Sequence, residues 1–570
     1  MFKRAISSKL HNSPPKGLLW GLILLILFLS ILPSLQLLLS AFLDIASGKN
    51  SSFIHVISRK STWLAIYHSL YTSFLGMIIS LILGSIFAFC LALLNIRKKG
   101  LWIFLFMLPM MIPPQVTALS WLQLFGPSSI FLKSLGFTPT FGKPNPLYSA
   151  EGISLLLGIQ HAPLVFLTLK TQLLNLPKEQ MEAARLSGAS LWQIFKDIIL
   201  PLCKTALIAG GAIAFVSSLG NFGIPAMLGI PVSYFVLPTE IYHSMASFNN
   251  RMLNEVAALS VLMAFIALVI VSLQTHLQKR FALPLIGNSG RPLDFQLGKG
   301  RLLTEISLAI ILILILGAPL LALIMTSLVP TLGVPLNLET LTFDAYKVML
   351  EPQGPTWRAL SNSLLLSISA AILLTLISIP LAYLFVRYAS RKINWLQQAI
   401  DIPYTLPGVV LAIAFILLFA KPLPIIEYSL YGTLGIIFIA YLARFLTICL
   451  KPVHNSMLQL DPSMEEAASL SGATFYQRLR HIILPLLMPA AFAGALLVFM
   501  TAVNELTVSA LLWSAGNETL GVIIFNLDES GNKVLASAIS VMVVLLVAVV
   551  MLLLNLLGRF LPKGAIAWQN

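Results

Sequence analysis

About twelve runs of roughly 20 apolar residues leave this chain few ways to fold, because a run of that length is what a helix needs to cross the hydrocarbon core of a bilayer. They lie near residues 17–43, 66–94, 101–125, 150–174, 200–220, 254–278, 302–328, 360–386, 395–419, 431–450, 484–510 and 534–557. With 58% of residues hydrophobic, 10% charged and a mean hydropathy of +0.91, a soluble globular protein is excluded. The expected fold class is all-α integral membrane, with about 12 transmembrane helices.

The charges orient those helices. Lys3, Arg4, Lys9 and Lys16 precede a first apolar run too long for a signal peptide and without a small-residue cleavage site. A retained first span with a cytoplasmic N-terminus is therefore expected. An even span count returns the C-terminus to the same side. That side collects Arg97, Lys98, Lys99, Lys178, Arg185, Lys279, Arg280, Arg291, Arg387, Arg391, Lys392, Lys451, Arg478 and Arg480, whereas the opposite loops hold few basic residues, among them Lys133, Lys347 and Lys533. The formal charge of +15 thus belongs to cytoplasmic loops, and no nucleic-acid partner is expected. Pro225, Pro231 and Pro238 interrupt the apolar stretch from Ile224 to Asn250, which reads as an outer loop or re-entrant segment rather than a span. Cys90, Cys203 and Cys449 have no metal-site or disulfide spacing and read as packing residues.

One stretch occurs twice. Glu182-Ala183-Ala184-Arg185-Leu186-Ser187-Gly188-Ala189 closing with Ile198-Ile199-Leu200-Pro201 returns as Glu466-Ala467-Ala468-Ser469-Leu470-Ser471-Gly472-Ala473 closing with Ile482-Ile483-Leu484-Pro485. Over Glu182 to Leu202 the copies agree at 13 of 21 positions without a gap, which excludes chance. Each copy reads as two short helices joined at a glycine. Asp461 can cap a helix that begins at Pro462, Gly188 and Gly472 can stop the first helices in the left-handed conformation, and Ser190 with Gln193, or Thr474 with Gln477, can form a capping box for the second. Ala184 and Gly188, or Ala468 and Gly472, fall four apart on one face, where another protein could approach the backbone closely. The repeat extends to Pro109 and Pro113, which match Pro403 and Pro407 at an offset of 294 positions. Two parallel six-span units follow: residues 1–285 with the loop 177–201, a cytoplasmic linker 286–300, and residues 301–570 with the loop 461–485.

Glu-Ala-Ala, three residues, Gly, nine residues, Ile, one residue and Leu-Pro resembles the signature of the membrane subunits of binding-protein-dependent ABC importers, and both copies match it. The likeness runs from about Leu64 to Leu557 and is that of a fused permease, two usually separate subunits in one chain. Asn504-Glu505-Leu506-Thr507 and Asn221-Phe222-Gly223-Ile224-Pro225 are similar to the ferric-iron and thiamine branch, although Asn221 stands where that branch carries an acid.

The resemblance implies a type I importer permease of the bacterial inner membrane, moving a small solute by alternating access. It implies coupling through Glu182, Ala183, Ala184, Gly188, Glu466, Ala467, Ala468 and Gly472, with Pro201 and Pro485 joining each loop to the next span. Two copies of a cytoplasmic ATPase would supply ATP and Mg chemistry, since no GxxxxGK[ST] phosphate loop occurs in the sequence. An extracytoplasmic solute-binding protein would deliver the solute, with ferric iron the first choice, then thiamine or a phosphonate. No cofactor, metal or catalytic residue is expected on this chain.

Among polar residues near membrane depth, Asn221 and Glu505 are repeat partners and the candidate pathway groups. Arg444 reads as reaching lipid headgroups or holding the loop, His161 and Asp401 as buried, satisfied polar residues, and Met110 with Met111 as packing. An ion-coupled secondary transporter of 12 spans is the rival reading, but it gives no reason to duplicate a capped loop.

Overall fold

In the computed structural model, residues 16–46, 48, 51–137, 145–246, 251–281, 295–352, 354–388, 390–420 and 429–557 are described, and they are helical with no strand among them. Most of the expected linker, with Arg291, lies outside the described residues. Among the described residues, nine helices are long and apolar enough to cross a membrane unbroken: Gly17–Ala46, Lys60–Leu93, Ala150–Leu174, Met252–Phe281, Gly300–Ser327, Pro355–Arg387, Leu434–Gln459, Phe475–Val503 and Lys533–Leu556. The three other expected spans are present as bent pairs.

Two of those pairs correct the sequence reading of a straight crossing. The run 101–125 is Lys99–Met111 followed by Pro114–Ser134 at 99°, and 395–419 is Ile393–Thr405 followed by Gly408–Phe419 at 106°. Both break at the matched prolines Pro113 and Pro407, whose rings supply no donor and drive the preceding residue out of the helical region. The third, Trp192–Leu202 with Lys204–Leu219, bends by 62° at Cys203, whereas the second half runs straight through the equivalent Leu487.

The stretch after span five folds as two short helices in both halves. Gly223–Val232 and Leu237–Met245 meet at 70°, and residues 223–229 are wholly buried, so the described part of 224–250 is a bent helix pair packed into the core rather than an irregular loop. The second half repeats this as Ser509–Leu512 and Leu520–Glu529. Span eleven therefore ends at Val503 rather than near residue 510, where Asn504 and Glu505 interrupt the apolar run.

Proline also explains four π-helical turns. Leu27–Ile31, Phe195–Ile199, Ile313–Gly317 and Leu479–Ile483 each precede a proline, at Pro33, Pro201, Pro319 and Pro485. A proline ring collides with the carbonyl four residues before it, and widening that turn removes the collision without breaking the helix. Pro33 and Pro319 thus extend the repeat to spans one and seven, where no side-chain identity had shown it.

These first spans are exchanged. Span one packs against Gly408–Phe419 of the second half, with Phe28 edge-on to Phe419 at 6.1 Å and Ser30 Oγ donating to the Ala399 carbonyl. Ala318–Ser327 packs against Pro114–Phe125 of the first half, and Lys133 Nζ donates to the Gly333 carbonyl at 3.3 Å. Each half's bent pair is thereby clasped by the other half's leading helix, and the core is continuous across the two.

Candidate functional site: two exposed loops and a polar junction

The repeated stretch folds the same way twice. Helices Lys178–Leu186 and Ser463–Leu470 end at Gly188 and Gly472, each at φ +82°, a conformation that any side chain would strain. Ala189 N donates to the Ala184 carbonyl and Ala473 N to that of Ala468, both at 3.0 Å, which closes each turn six residues to one. The capping boxes form: Ser190 N donates to Gln193 Oε1 at 2.7 Å and Thr474 N to Gln477 Oε1 at 2.8 Å. Asp461 Oδ1 accepts from Ser463 N at 2.9 Å, so the helix begins one residue later than expected, at Ser463.

Glu182, Ala183, Gly188, Glu466, Ala467 and Gly472 are exposed, and Ala184 and Ala468 are half-buried. No atom would stand within 4 Å of a Cβ built on either glycine, so both turns present open backbone. Pro201 and Pro485 follow the π turns inside the outgoing helices. The second joins its loop to span eleven as one helix, but the first helix breaks at Cys203, so the rigid join holds in the second half alone.

Sequence reasoning missed the apolar residues these loops project. Leu186 is 90% exposed and its repeat partner Leu470 is 83% exposed. Trp192 and its partner Tyr476 are exposed too. Large apolar side chains thus stay exposed at equivalent positions of both loops. The signal was available in the repeat alignment, since apolar character is kept at both pairs.

The roots of the loops differ. Arg387, at the end of span eight, holds Glu465 at 2.6 Å with both side chains buried, and its second nitrogen donates to the Leu460 carbonyl at 3.3 Å. In the first half the same positions, by the offsets of 294 and 284, are Leu93 and Met181, both buried. One loop is seated by an ion pair and the other by apolar packing.

The two halves meet through the ends of their fifth and eleventh spans. Asn504 Nδ2 donates to the Met111 carbonyl at 3.0 Å, and a Cβ on Gly220, the repeat partner of Asn504, would stand 3.6 Å from Pro407. Each span end thus rests on the other half's proline bend. Asn221 Oδ1 accepts from Ile224 N at 3.1 Å and Glu505 Oε1 from Val508 N at 2.9 Å, so both candidate pathway residues hold the start of the short helices that follow the span.

Arg444 does not reach toward lipid headgroups. It turns inward, with Nε 3.5 Å from Glu505 Oε2, where a carboxylate answers its charge within the protein. Its repeat partner is Gln160, which donates to the Ile112 carbonyl at 2.9 Å and accepts from Thr117 at 3.0 Å. A charged pair in the second half therefore stands where the first half has two neutral amides. Phe222, Tyr242 and Phe525 bring rings from both halves within 5.2–6.0 Å of one another beside this junction. His161 meets Ser218 Oγ at 3.1 Å and Asp401 accepts from Thr447 at 3.1 Å, as satisfied polar groups, while Met110 and Met111 pack against the core.

Residues 80–283 and 375–564 each match the family described as binding-protein-dependent transport system inner membrane component. Among curated relatives, the ferric transport system permease protein FbpB of Actinobacillus pleuropneumoniae is 27% identical over 540 residues, covering 94% of this chain and 77% of the relative. A putative ferric transport system permease protein, FbpB 1 of Haemophilus influenzae, is 28% identical over 87% of this chain and 77% of its own. The putative 2-aminoethylphosphonate transport system permease protein PhnV of Salmonella typhimurium is 28% identical over 37% of this chain and 77% of its own. A bacterial alginate ABC transporter, solved with its alginate pentasaccharide-bound periplasmic protein, overlays 47% of this chain and 97% of its own at a TM-score of 0.37 and 18% identity.

Proposed function

The chain belongs to the family of binding-protein-dependent transport system inner membrane components, as the multi-pass permease subunit of an ABC importer, and on that premise we propose how its parts are used. Two copies of a cytoplasmic ATPase dock on the loops 177–201 and 461–485, inserting Leu186 and Leu470 with the backbone at Gly188 and Gly472 in close contact. ATP and Mg bind the partner, not this chain. An extracytoplasmic binding protein delivers the solute to the opposite side. Both chain termini then lie in the cytoplasm.

Closure of the ATPase pair moves the loops, and the outgoing helices carry that movement to the junction. There Asn221 and Glu505 line the passage that opens alternately to either side. The observation that carries this reading is the pair of loops: equal in φ, capping and exposed leucine, although their roots differ. Ferric iron is the solute we favour, as the named role of relatives that cover most of the chain, with thiamine or a phosphonate next.

Proteoliposomes holding the chain, its ATPase and its binding protein test the proposal. Uptake should require ATP and the binding protein and should stop with vanadate. Uptake that continues without ATP and collapses with an uncoupler would instead identify an ion-coupled transporter.

A further inference from the structure

Two buried helices begin beside the junction, directly after the proline bends: Pro114–Phe125 in the first half and Gly408–Phe419 in the second. The leading N–H groups of a helix have no partner within it, and the positive end of its dipole coincides with them. An N-terminus held there favours an acceptor or an anion. That geometry alone specifies no ligand.

Gln115 supplies the second observation. It is completely buried, yet neither Oε1 nor Nε2 has a hydrogen-bond partner. Leaving such a group unsatisfied is costly, so it is retained where something else meets it. Its Oε1 lies 3.2 Å from where a Cβ on Gly223 would stand. Its Nε2 and the Glu505 carbonyl oxygen each lie 3.2 Å from where a Cβ on Gly521 would stand. The side chain therefore reaches from the first half toward Glu505, with a glycine on each flank.

The second helix start has its own unspent donor. Arg444 Nε faces Glu505, but Nη1 is buried without a partner, 2.8 Å from where a Cβ on Gly408 would stand. Asn504 Oδ1, on the side chain that donates to the Met111 carbonyl, is also unpartnered. The Glu505 carboxylate faces Arg444 with one oxygen and the Val508 N–H with the other, so its charge is answered within the protein.

We propose that this junction binds an oxyanion group of the transported solute, received by Gln115 Nε2, Arg444 Nη1 and the helix starts at residues 114 and 408. Gln115 Oε1 and Asn504 Oδ1 accept from hydroxyl or amino groups beside it. The group is either the solute itself, as in a phosphonate, or the anionic ligand that accompanies a metal cation. The inference rests on the permease reading above, since it makes the site a station on the transport path.

The test uses the full chain in lipid nanodiscs without ATPase subunits, whose nucleotide sites would themselves hold phosphate. Equilibrium dialysis measures orthophosphate alone in one arm and ferric citrate in the other. At least one should bind saturably at one site per chain, and Gln115→Leu should weaken that binding about tenfold or more. Phosphate binding assigns the site to the solute's own oxyanion, and binding of ferric citrate alone assigns it to a metal's companion. Because leucine removes two unsatisfied atoms, the thermal unfolding midpoint of Gln115→Leu should equal or exceed that of the wild type.

Absence of saturable binding for both probes, or binding unchanged in Gln115→Leu, overturns the proposal. A lowered midpoint with unchanged binding would make Gln115 structural. Binding that behaves as expected in a chain that fails the ATP test would leave the site standing and remove the permease mechanism.

Discussion

Replacing Glu465 with Met gives the second loop the residue that seats the first. The two roots differ in kind, so the outcome is not neutral: Glu465→Met leaves the Arg387 guanidinium, with 9% of its side chain exposed, without its carboxylate. Removing one member of a buried pair costs about 3–5 kcal/mol. Replacing both by apolar residues of similar size is neutral to stabilising, so Arg387→Leu with Glu465→Met should restore what the single change removes. Hydrogen exchange in the intact complex reads this locally, because amide exchange reports the opening of individual segments. At about 1.4 kcal/mol per tenfold, the amides of Ser463–Leu470 should exchange about a hundredfold faster or more in Glu465→Met and near the wild-type rate in the double variant. Amides of Lys178–Leu186 should not change in either. Unaltered exchange at Ser463–Leu470 in the single variant, or no recovery in the double, would refute the assignment of the pair as the seat of this loop.

Three further outcomes follow from the same geometry. Gly188→Glu and Gly472→Glu each force a side chain into φ +82° and charge an open turn, so uptake should fall at least tenfold with membrane insertion retained, measured as uptake per inserted molecule. Glu505→Gln removes the charge that answers Arg444, whereas Asn221→Ala frees only one backbone donor; uptake per folded molecule should fall further in the first. Reporter fusions after Arg185 and Arg478 should read cytoplasm and those after Lys133, Lys347 and Asn517 the outer side; a cytoplasmic signal at Lys347 would break the twelve-span topology.

Much of this was legible because it rests on local chemistry. Gly188, Gly472 and the two capping boxes act within a few residues, and their spacing alone places the turns. The bends at Pro113 and Pro407 were visible as matched prolines, but hydropathy, which sums over a window, cannot tell a straight crossing from one broken near 100°. The exchange of spans one and seven was out of reach, since an apolar face does not say which half it packs on. Arg444 was misplaced for a related reason. Position along a span suggests the headgroups, and only the fold brings Glu505, from a different span, to its guanidinium. Gln115 lay unnoticed inside an apolar run, where a single amide alters the hydropathy little.

The central claim is that both exposed loops are where the ATPase pair docks, and co-purification tests it most directly. Leu186→Asp with Leu470→Asp places two charges where two leucines, each more than four-fifths exposed in the free chain, are to be buried. Each buried leucine contributes about 1.5–3 kcal/mol, so the pair should weaken association at least a hundredfold. The account predicts normal membrane abundance of the permease with loss of the ATPase from the purified complex; two ATPase subunits still bound per permease chain would contradict it.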